Sequence, residues 1–511
     1  MSVATLPGYR VVTAAQPPRE EGLRNDVACF VGSTVRGPLG VPVRVQGRQA
    51  FVATFGGWES GTVPRAFAAY VANGGEVAWI VRAGRESTPA SKTVGLAPED
   101  PANGPARLAL PGSGLRFAAT SPGAWGNGIR VRLTYRAFGF GGEAELDVTI
   151  DTPRAATFRR AGLNADELIA VVAATGTVTA EFCGPPTGVT ATSGNPGPAA
   201  LGWDVVLDGG TEPALDEAAL RTAIEAQAEI EEIALVCVPG FAEVSEVAQD
   251  AVLATLAASC AGAQDRLAVV SAPVVDAASF ATWRDRVRAA VTEPGHQRAV
   301  AAYLPWLRSA DLAGRGPDRY PVTDSVGHIC GVLARIDRER GSGWSPANAL
   351  VSDAVDLAAP TPVALQERAF EEGVNVVRER IGGGLEVWGA RTLDPGDGRY
   401  IAHRRLVHRI VRAVRRVAEP LVFDTNDELL WFSVTRAVSG VLMEAFRSGS
   451  LRGETPDQAY RVRCDATTNP PSEIDEGRVV CEIQVAPATP MEFITLRLTL
   501  GAEGLLEVVE Q

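Results

Sequence analysis

A chain of 511 residues with 46% hydrophobic and 21% charged residues is too apolar to be disordered and too long for one core, so roughly two to four domains are expected. Its formal charge of −13 excludes nucleic acid as the general partner, because phosphate binding needs a dominant basic surface. Seven scattered cysteines (Cys29, Cys183, Cys237, Cys260, Cys330, Cys464, Cys481), never in a CxxC pair, read as small core residues in a reducing compartment.

Residues 1–24 are rich in proline and glycine, contain one extended run at 9–13, and read as an arm. Pro7, Gly8, Pro17 and Pro18 break up this start, so no signal peptide is expected. A strand at 27–32, a turn at 36–40, a short helix near 67–72 and a strand at 76–82 follow. Asn73-Gly74-Gly75 ends that helix, since glycine accepts the left-handed conformation found at helix C-termini. Residues 86–200 carry glycine and proline throughout, with alternating strands such as 129–135 and 144–150, and read as a β-rich insertion. From 202 to 348, short apolar strands (204–207, 233–238, 267–271, 299–304) alternate with helices (216–231, 244–261, 277–291). That alternation predicts a largely parallel sheet covered by helices. The most apolar windows, 233–239 and 267–275, are too short to cross a bilayer.

After Pro360 and Pro362 a C-terminal module is expected, entered through Gly382-Gly383-Gly384. Its first helix, about 400–417, carries Leu406, Ile410, Val414 and Val417 on one stripe and Arg405, Arg409, Arg412 and Arg416 on another. Thr425 and Glu428 form a capping-box pattern for a second helix, which Gly449 stops. Leu430, Val434, Val438, Val441 and Ala445 share one face of it. In the strand 479–485, Val479, Cys481, Ile483 and Val485 point one way and Glu482 and Gln484 the other. The extended runs 9–13 and 492–500 would leave half their backbone groups unpaired as lone strands, and the simplest remedy folds them back into the same subunit.

Signatures of catalysis are missing. The only lysine, Lys92, stands in Ser-Lys-Thr without a preceding glycine, so no P-loop exists, and neither GxGxxG before a helix nor a GxSxG elbow occurs. His328, with Asp324 and Ser325 nearby, is the best-placed base, but it reads more readily as a histidine near a helix start with Asp324 as the cap. His403 and His408 are spaced five apart, not the four that puts two zinc ligands on one helical face, and no metal or cofactor is expected. The arginine stripe is either a solvated face beside a core or a docking surface for an acidic partner; a helix lying on membrane fits less well.

Four C-terminal segments occur in a fixed order after VWGARTL (387–393): RYIAHRRL (399–406), FDTNDELLW (423–431), GSLRGETPDQAYRVRCD (449–465) and VVCEIQVAPATPMEFITLRL (479–498). They resemble the C-terminal core of contractile tail sheath proteins. LPGYRVV (6–12), VACFVGSTVRGPLGVPVRV (27–45), FVATFGG (51–57) and YVANGGEVAWIVR (70–82) extend the likeness to the N-terminus. The resemblance implies an α/β and α+β multidomain chain. Residues 1–24 would be an N-terminal arm acting as an inter-subunit strand, 25–85 with 201–360 an α/β subtilisin-like middle domain, and 86–200 a β-rich outer insertion. Residues 361–490 would be the inner α+β sheath core, and 491–511 a C-terminal strand or arm.

It further implies exchange of terminal strands between subunits through Tyr9, Val11, Val12, Phe493, Ile494, Leu496 and Leu498. Because a helix of this module faces the inner tube in such families, the likeness favours inner-tube docking by Arg405, Arg409, Arg412 and Arg416. The function implied is structural and not enzymatic: a sheath subunit that polymerises helically, in stacked hexameric rings, and contracts to drive the tube through a target envelope. Partners would be further copies of the chain, the inner tube protein, baseplate and terminal cap proteins, and compatible sibling sheath proteins, without nucleic acid or direct membrane insertion. Assembly would take place in the bacterial cytoplasm, as part of a phage tail or a released injection particle. The alternatives are an α/β hydrolase-like enzyme with a β accessory domain, or another tube or baseplate component of the same machine.

Overall fold

The computed structural model describes residues 24–510, apart from 59, 86, 96–106, 111–113, 138–143, 154–155, 184–186, 191–200, 242–243, 273–275, 313, 315–318, 420–425, 487–493 and 501–505. The chain divides into two compact units, one of Ala28–Arg335 with Ser345–Ile401 and one whose described residues are 24–27, 336–344 and 402 onward.

The larger unit is built on a nine-stranded mixed sheet. Its centre is parallel: Val77–Arg82, Ala28–Gly32, Leu235–Cys237, Leu267–Ser271, Val300–Leu304 and Asn375–Glu379, in that spatial order. These strands are near-continuous apolar runs because helices cover both faces, and every residue of Ala28–Gly32, Leu267–Ser271 and Val300–Leu304 is buried. Alternation along a strand assigns the faces. Cys29 and Val31 pack with Leu220, Val252, Leu256 and Phe280 from the helices Glu217–Glu225, Glu246–Ala263 and Ala277–Ala290. Phe30, between them, instead meets Phe67 and Tyr70 of the helix Thr62–Ala72 edge-on, at 6.1 and 5.3 Å. Against that helix lies Val326–Arg340, so close that a Cβ added at Gly331 would stand 2.5 Å from the Tyr70 carbonyl oxygen. Only glycine allows this approach.

Antiparallel strands close both edges. Val43–Gln46 pairs with Val77–Arg82, and Leu385–Trp388 pairs with Asn375–Glu379 and with Leu350–Val351. The glycine run 382–384, all at positive φ, is the hairpin turn between Asn375–Glu379 and Leu385–Trp388. This corrects the expected boundary at 361. The prolines at 360 and 362 look like a linker, but Tyr303 pairs with Asn375, and the Asn375 amide donates to the carbonyls of Ala302 (3.0 Å) and Arg391 (2.7 Å). The larger unit therefore runs on to Ile401. The helix Gly47–Phe55 was not anticipated, and the helix expected at 216–231 is shorter, Glu217–Glu225.

Between 91 and 206 the chain forms antiparallel sheets, the main one ordered Leu201–Val206, Arg130–Ala137, Ala144–Asp151, Phe158–Leu163. Leu115, Phe117, Val131, Leu133, Val148 and Ile150 share a separate core there with Leu168 and Val172 of the helix Ala165–Ala173. That helix, which a β-rich reading of the stretch does not specify, starts with a capping box between Asn164 and Glu167.

Among its described residues the smaller unit holds two long helices, Ile401–Ala418 and Glu428–Arg447, two short ones, Pro456–Ala459 and Pro471–Asp475, and a four-stranded antiparallel sheet ordered Tyr460–Arg463, Val479–Val485, Ile494–Leu500, Leu506–Glu510.

Candidate assembly module

The helix Ile401–Ala418 is buried around nearly its whole circumference over its first three turns. Leu406, Val407, Ile410, Val411 and Val414 pack with Leu430, Trp431, Val434, Val438, Leu442 and Ala445 of Glu428–Arg447 and with Val479, Cys481, Ile483 and Val485 of the sheet. Leu442, rather than the expected Val441, completes the buried face of the second helix. The exposed ion pair joining the two helices, Arg409 to Glu444 at 3.6 Å, contributes about 0.5 kcal/mol. Each fully buried aliphatic contributes about 1.5–3 kcal/mol, so packing holds the pair together.

The arginine stripe divides. Arg405 is 1% exposed and Arg412 3%, which removes both from any docking surface. Arg405 Nη2 donates to the Asn25 carbonyl (2.7 Å) and lies 4.0 Å from Asp337 Oδ1, while Asn25 Nδ2 donates back to the Arg405 carbonyl (3.2 Å). Arg412 Nη1 donates to the Arg24 carbonyl at 2.7 Å. Arg24 in turn pairs with Asp26 at 2.8 Å. The two buried arginines thus hold the backbone at Arg24 and Asn25, a role their helical spacing does not reveal because the acceptors lie 380 and 388 residues away. Burial raises the Asp337 carboxyl above its ordinary range, with Arg405 opposing. Arg409 is partly exposed and Arg416 exposed.

Asp427, not Thr425, caps the second helix: its Oδ1 accepts from Leu429 N (2.9 Å) and Leu430 N (3.0 Å). Thr425 lies outside the described residues. Asn426 accepts from Trp431 Nε1 (2.8 Å) and donates to the Arg478 carbonyl (2.9 Å), tying this corner to the sheet. Glu428–Arg447 is long and apolar enough to cross a membrane by length and composition, but its buried stripe is core of this module.

Ile494, Leu496 and Leu498 lie in the strand Ile494–Leu500, opposite Val485, Ile483 and Cys481 of the same chain. Leu506–Glu510 adds beyond it, so the described sheet ends in two edges, Tyr460–Arg463 and Leu506–Glu510. Tyr9, Val11, Val12 and Phe493 lie outside the described residues.

In the larger unit, the residues considered for catalysis are engaged structurally. Asp324 caps its helix through Val326 N (3.0 Å) and also accepts from Ser271 Oγ and Gly240 N. His328 Nε2 meets Ser309 Oγ at 3.0 Å, a nucleophile–base spacing, yet both are buried and His328 has no exposed surface. Burial lowers the His328 pKa from 6.5 to about 4. A cleft of about 570 Å³ beside Trp283, Arg284, Arg288, Arg391 and Asp394 is bounded by the ion pairs of Glu372 with Arg284 (2.8 Å) and Arg288 (2.5 Å). No group of three or more potential metal ligands occurs among the described residues. His403 is buried, with its pKa lowered by that burial, and His408 Nε2 lies 3.4 Å from Arg404 Nη2.

Residues 214–393 match the family model described as the phage tail sheath protein central domain. Over 181 residues, 34% of this chain, the sequence is 28% identical to the tail sheath protein of Enterobacteria phage T4; the match spans 27% of that protein, about a quarter of its length. The fold is similar to the sheath tail protein of Desulfitobacterium hafniense (TM-score 0.62, 15% identity, 97% of this chain and 100% of that one). It is also similar to the anti-feeding prophage helical sheath in its contracted state (TM-score 0.57, 20% identity, 96% and 98%).

Proposed function

We infer, from a central segment that matches the phage tail sheath family model, that this chain is the sheath subunit of a contractile injection machine. Copies would polymerise helically around an inner tube, assembled extended on a baseplate and switched into a shorter, wider state that drives the tube through a target envelope. The observation that carries the reading is the coincidence of the family segment with a sheath-like fold over almost the whole chain. Nothing need be consumed in contraction. An open helical lattice repeats one heterologous contact without limit, so a small free-energy difference per interface, multiplied over many subunits, does the work.

Such a lattice needs rigid bodies joined by compliant links. We assign the links to the chain ends, the N-terminal arm with Tyr9, Val11 and Val12 and the C-terminal run with Phe493, Ile494, Leu496 and Leu498. In the assembly the arm would pair with neighbouring subunits by β-strand addition, and the strand Ile494–Leu500, paired within its own chain here, would exchange that partner for the equivalent strand of a neighbour. The two sheet edges, Tyr460–Arg463 and Leu506–Glu510, support this reading, because each presents a row of backbone donors and acceptors to an incoming strand. The clamp on residues 24 and 25 would transmit load from the arm into the helix Ile401–Ala418. Docking on the tube would fall to Arg409 and Arg416, the two arginines that keep exposed surface. The middle domain would be subtilisin-like, and the subunit would be made in a bacterial cytoplasm, in stacked hexameric rings.

Sedimentation velocity on the full chain and on a chain lacking residues 2–12 tests this reading. The full chain should form large, fast-sedimenting assemblies and the truncated one a folded monomer. Equal polymerisation of both would remove the arm from the mechanism.

A further inference from the structure

Cys464 follows directly on the edge strand Tyr460–Arg463, and Cys481 lies inside its neighbour Val479–Val485. Their register pairs Val462 with Ile483 and Arg463 with Glu482, so the next step brings Cys464 opposite Cys481. The type of pair follows from the flanking residues. Val480 N–H donates to Asn469 Oδ1 (2.6 Å), the Val480 carbonyl accepts from Asn469 Nδ2 (3.1 Å), and Ala486 N–H donates to the Ala459 carbonyl (2.8 Å). Even-numbered residues of this strand therefore turn their backbone groups toward the edge strand, and odd-numbered ones toward Ile494–Leu500. Cys464 and Cys481 thus face each other at a site without ladder hydrogen bonds, where antiparallel Cα atoms approach to about 4.5 Å. A disulfide spans Cα separations of about 4.4–6.8 Å.

Both side chains belong to the face that packs on the core, Cys481 buried and Cys464 half-buried. The Cys481 thiol hydrogen-bonds Cys464, and Asn469 Nδ2 lies 3.7 Å from Cys464 Sγ. These two contacts hold the Cys464 thiol below its usual range, against the opposing effect of burial, whereas Cys481 is pushed up by its bond to Cys464 and by burial. Cys29 and Cys260 are fully buried and pushed up by that burial, so they are poor nucleophiles.

We propose that Cys464 and Cys481 are the redox-active pair of this protein and close a cross-strand disulfide when the chain meets a low-molecular-weight disulfide. The Cys464 thiolate attacks one sulfur of oxidised glutathione, forming a mixed disulfide and releasing one glutathione thiolate. Cys481 then loses its proton, attacks Cys464 Sγ and releases the second glutathione. Two protein thiols are oxidised and one glutathione disulfide is reduced to two thiols. The product staples the edge strand to its neighbour and fixes the edge at which a further strand would add.

The test is thiol alkylation and non-reducing tryptic mass mapping of the native full chain after incubation with oxidised glutathione. Cleavage at Arg463, Arg478 and Arg497 separates the two cysteines, so the disulfide joins peptide 464–478 to peptide 479–497, and reduction releases them. Cys481→Ser should arrest at a glutathione adduct on Cys464, and Cys464→Ser should leave Cys481 unmodified. Singly alkylated Cys464 and Cys481 in the oxidised wild type, or a persistent glutathione adduct on Cys464 there, would overturn the proposal.

Discussion

Burying a guanidinium is tolerated only where its N–H groups find acceptors, and Arg405 and Arg412 find theirs on the carbonyls of Asn25 and Arg24. Truncating Arg405 would strand a buried carbonyl and leave Asp337 without its nearest cation. Arg405→Ala is therefore expected to lower stability by about 3 kcal/mol, and Arg416→Ala, at an exposed position, by less than about 0.5 kcal/mol. Urea unfolding of the two variants checks this; equal effects would contradict the division of the stripe. His328 makes a pH prediction. Its folded pKa, about 4, lies below the ordinary 6.5, so between those values the unfolded chain binds the proton and the folded chain does not. The stabilisation is fully present above pH 6.5, is lost as pH falls toward 4, and amounts to at most about 3 kcal/mol. His328→Gln should flatten the dependence of the urea midpoint on pH across that window; an unchanged slope would contradict it.

Elements were legible where one face or both must be apolar. Ala28–Gly32, Leu267–Ser271 and Val300–Leu304 announce themselves as buried parallel strands, and Val479–Val485 as a half-buried one. What stayed hidden depended on distant partners. Asn375–Glu379 joins the large sheet by pairing with a strand some seventy residues earlier, past two prolines that look like a linker. The arginines of Ile401–Ala418 repeat at helical spacing whether they face water or a carbonyl, so periodicity could not separate Arg405 and Arg412 from Arg416. The cap of Glu428–Arg447 was misplaced by two residues because Thr425 and Asp427 are both good N-caps, and only the contacts of Asp427 with Leu429 N and Leu430 N decide. Asp427→Ala should cost about 1 kcal/mol, read as a lower urea midpoint. Unchanged stability would mean that another group satisfies those amides.

At the scale of the whole molecule, the larger unit has the character of a rigid body. It has a nine-stranded sheet whose central strands are buried throughout, aromatic packing beneath them and glycine-mediated helix contact. The described sheet of the smaller unit ends in two open strand edges, and two buried arginines hold the backbone at Arg24 and Asn25. The proposed contracting lattice would use such a packed body as its rigid part and the chain ends as its links to neighbouring subunits. The central claim is that this chain polymerises into such a lattice, and negative-stain electron microscopy of the purified full-length chain at rising concentration tests it most directly. Hollow, cross-striated cylinders are the predicted result; compact particles at every concentration, persisting when the tube and baseplate proteins of the same particle are co-expressed, would contradict it.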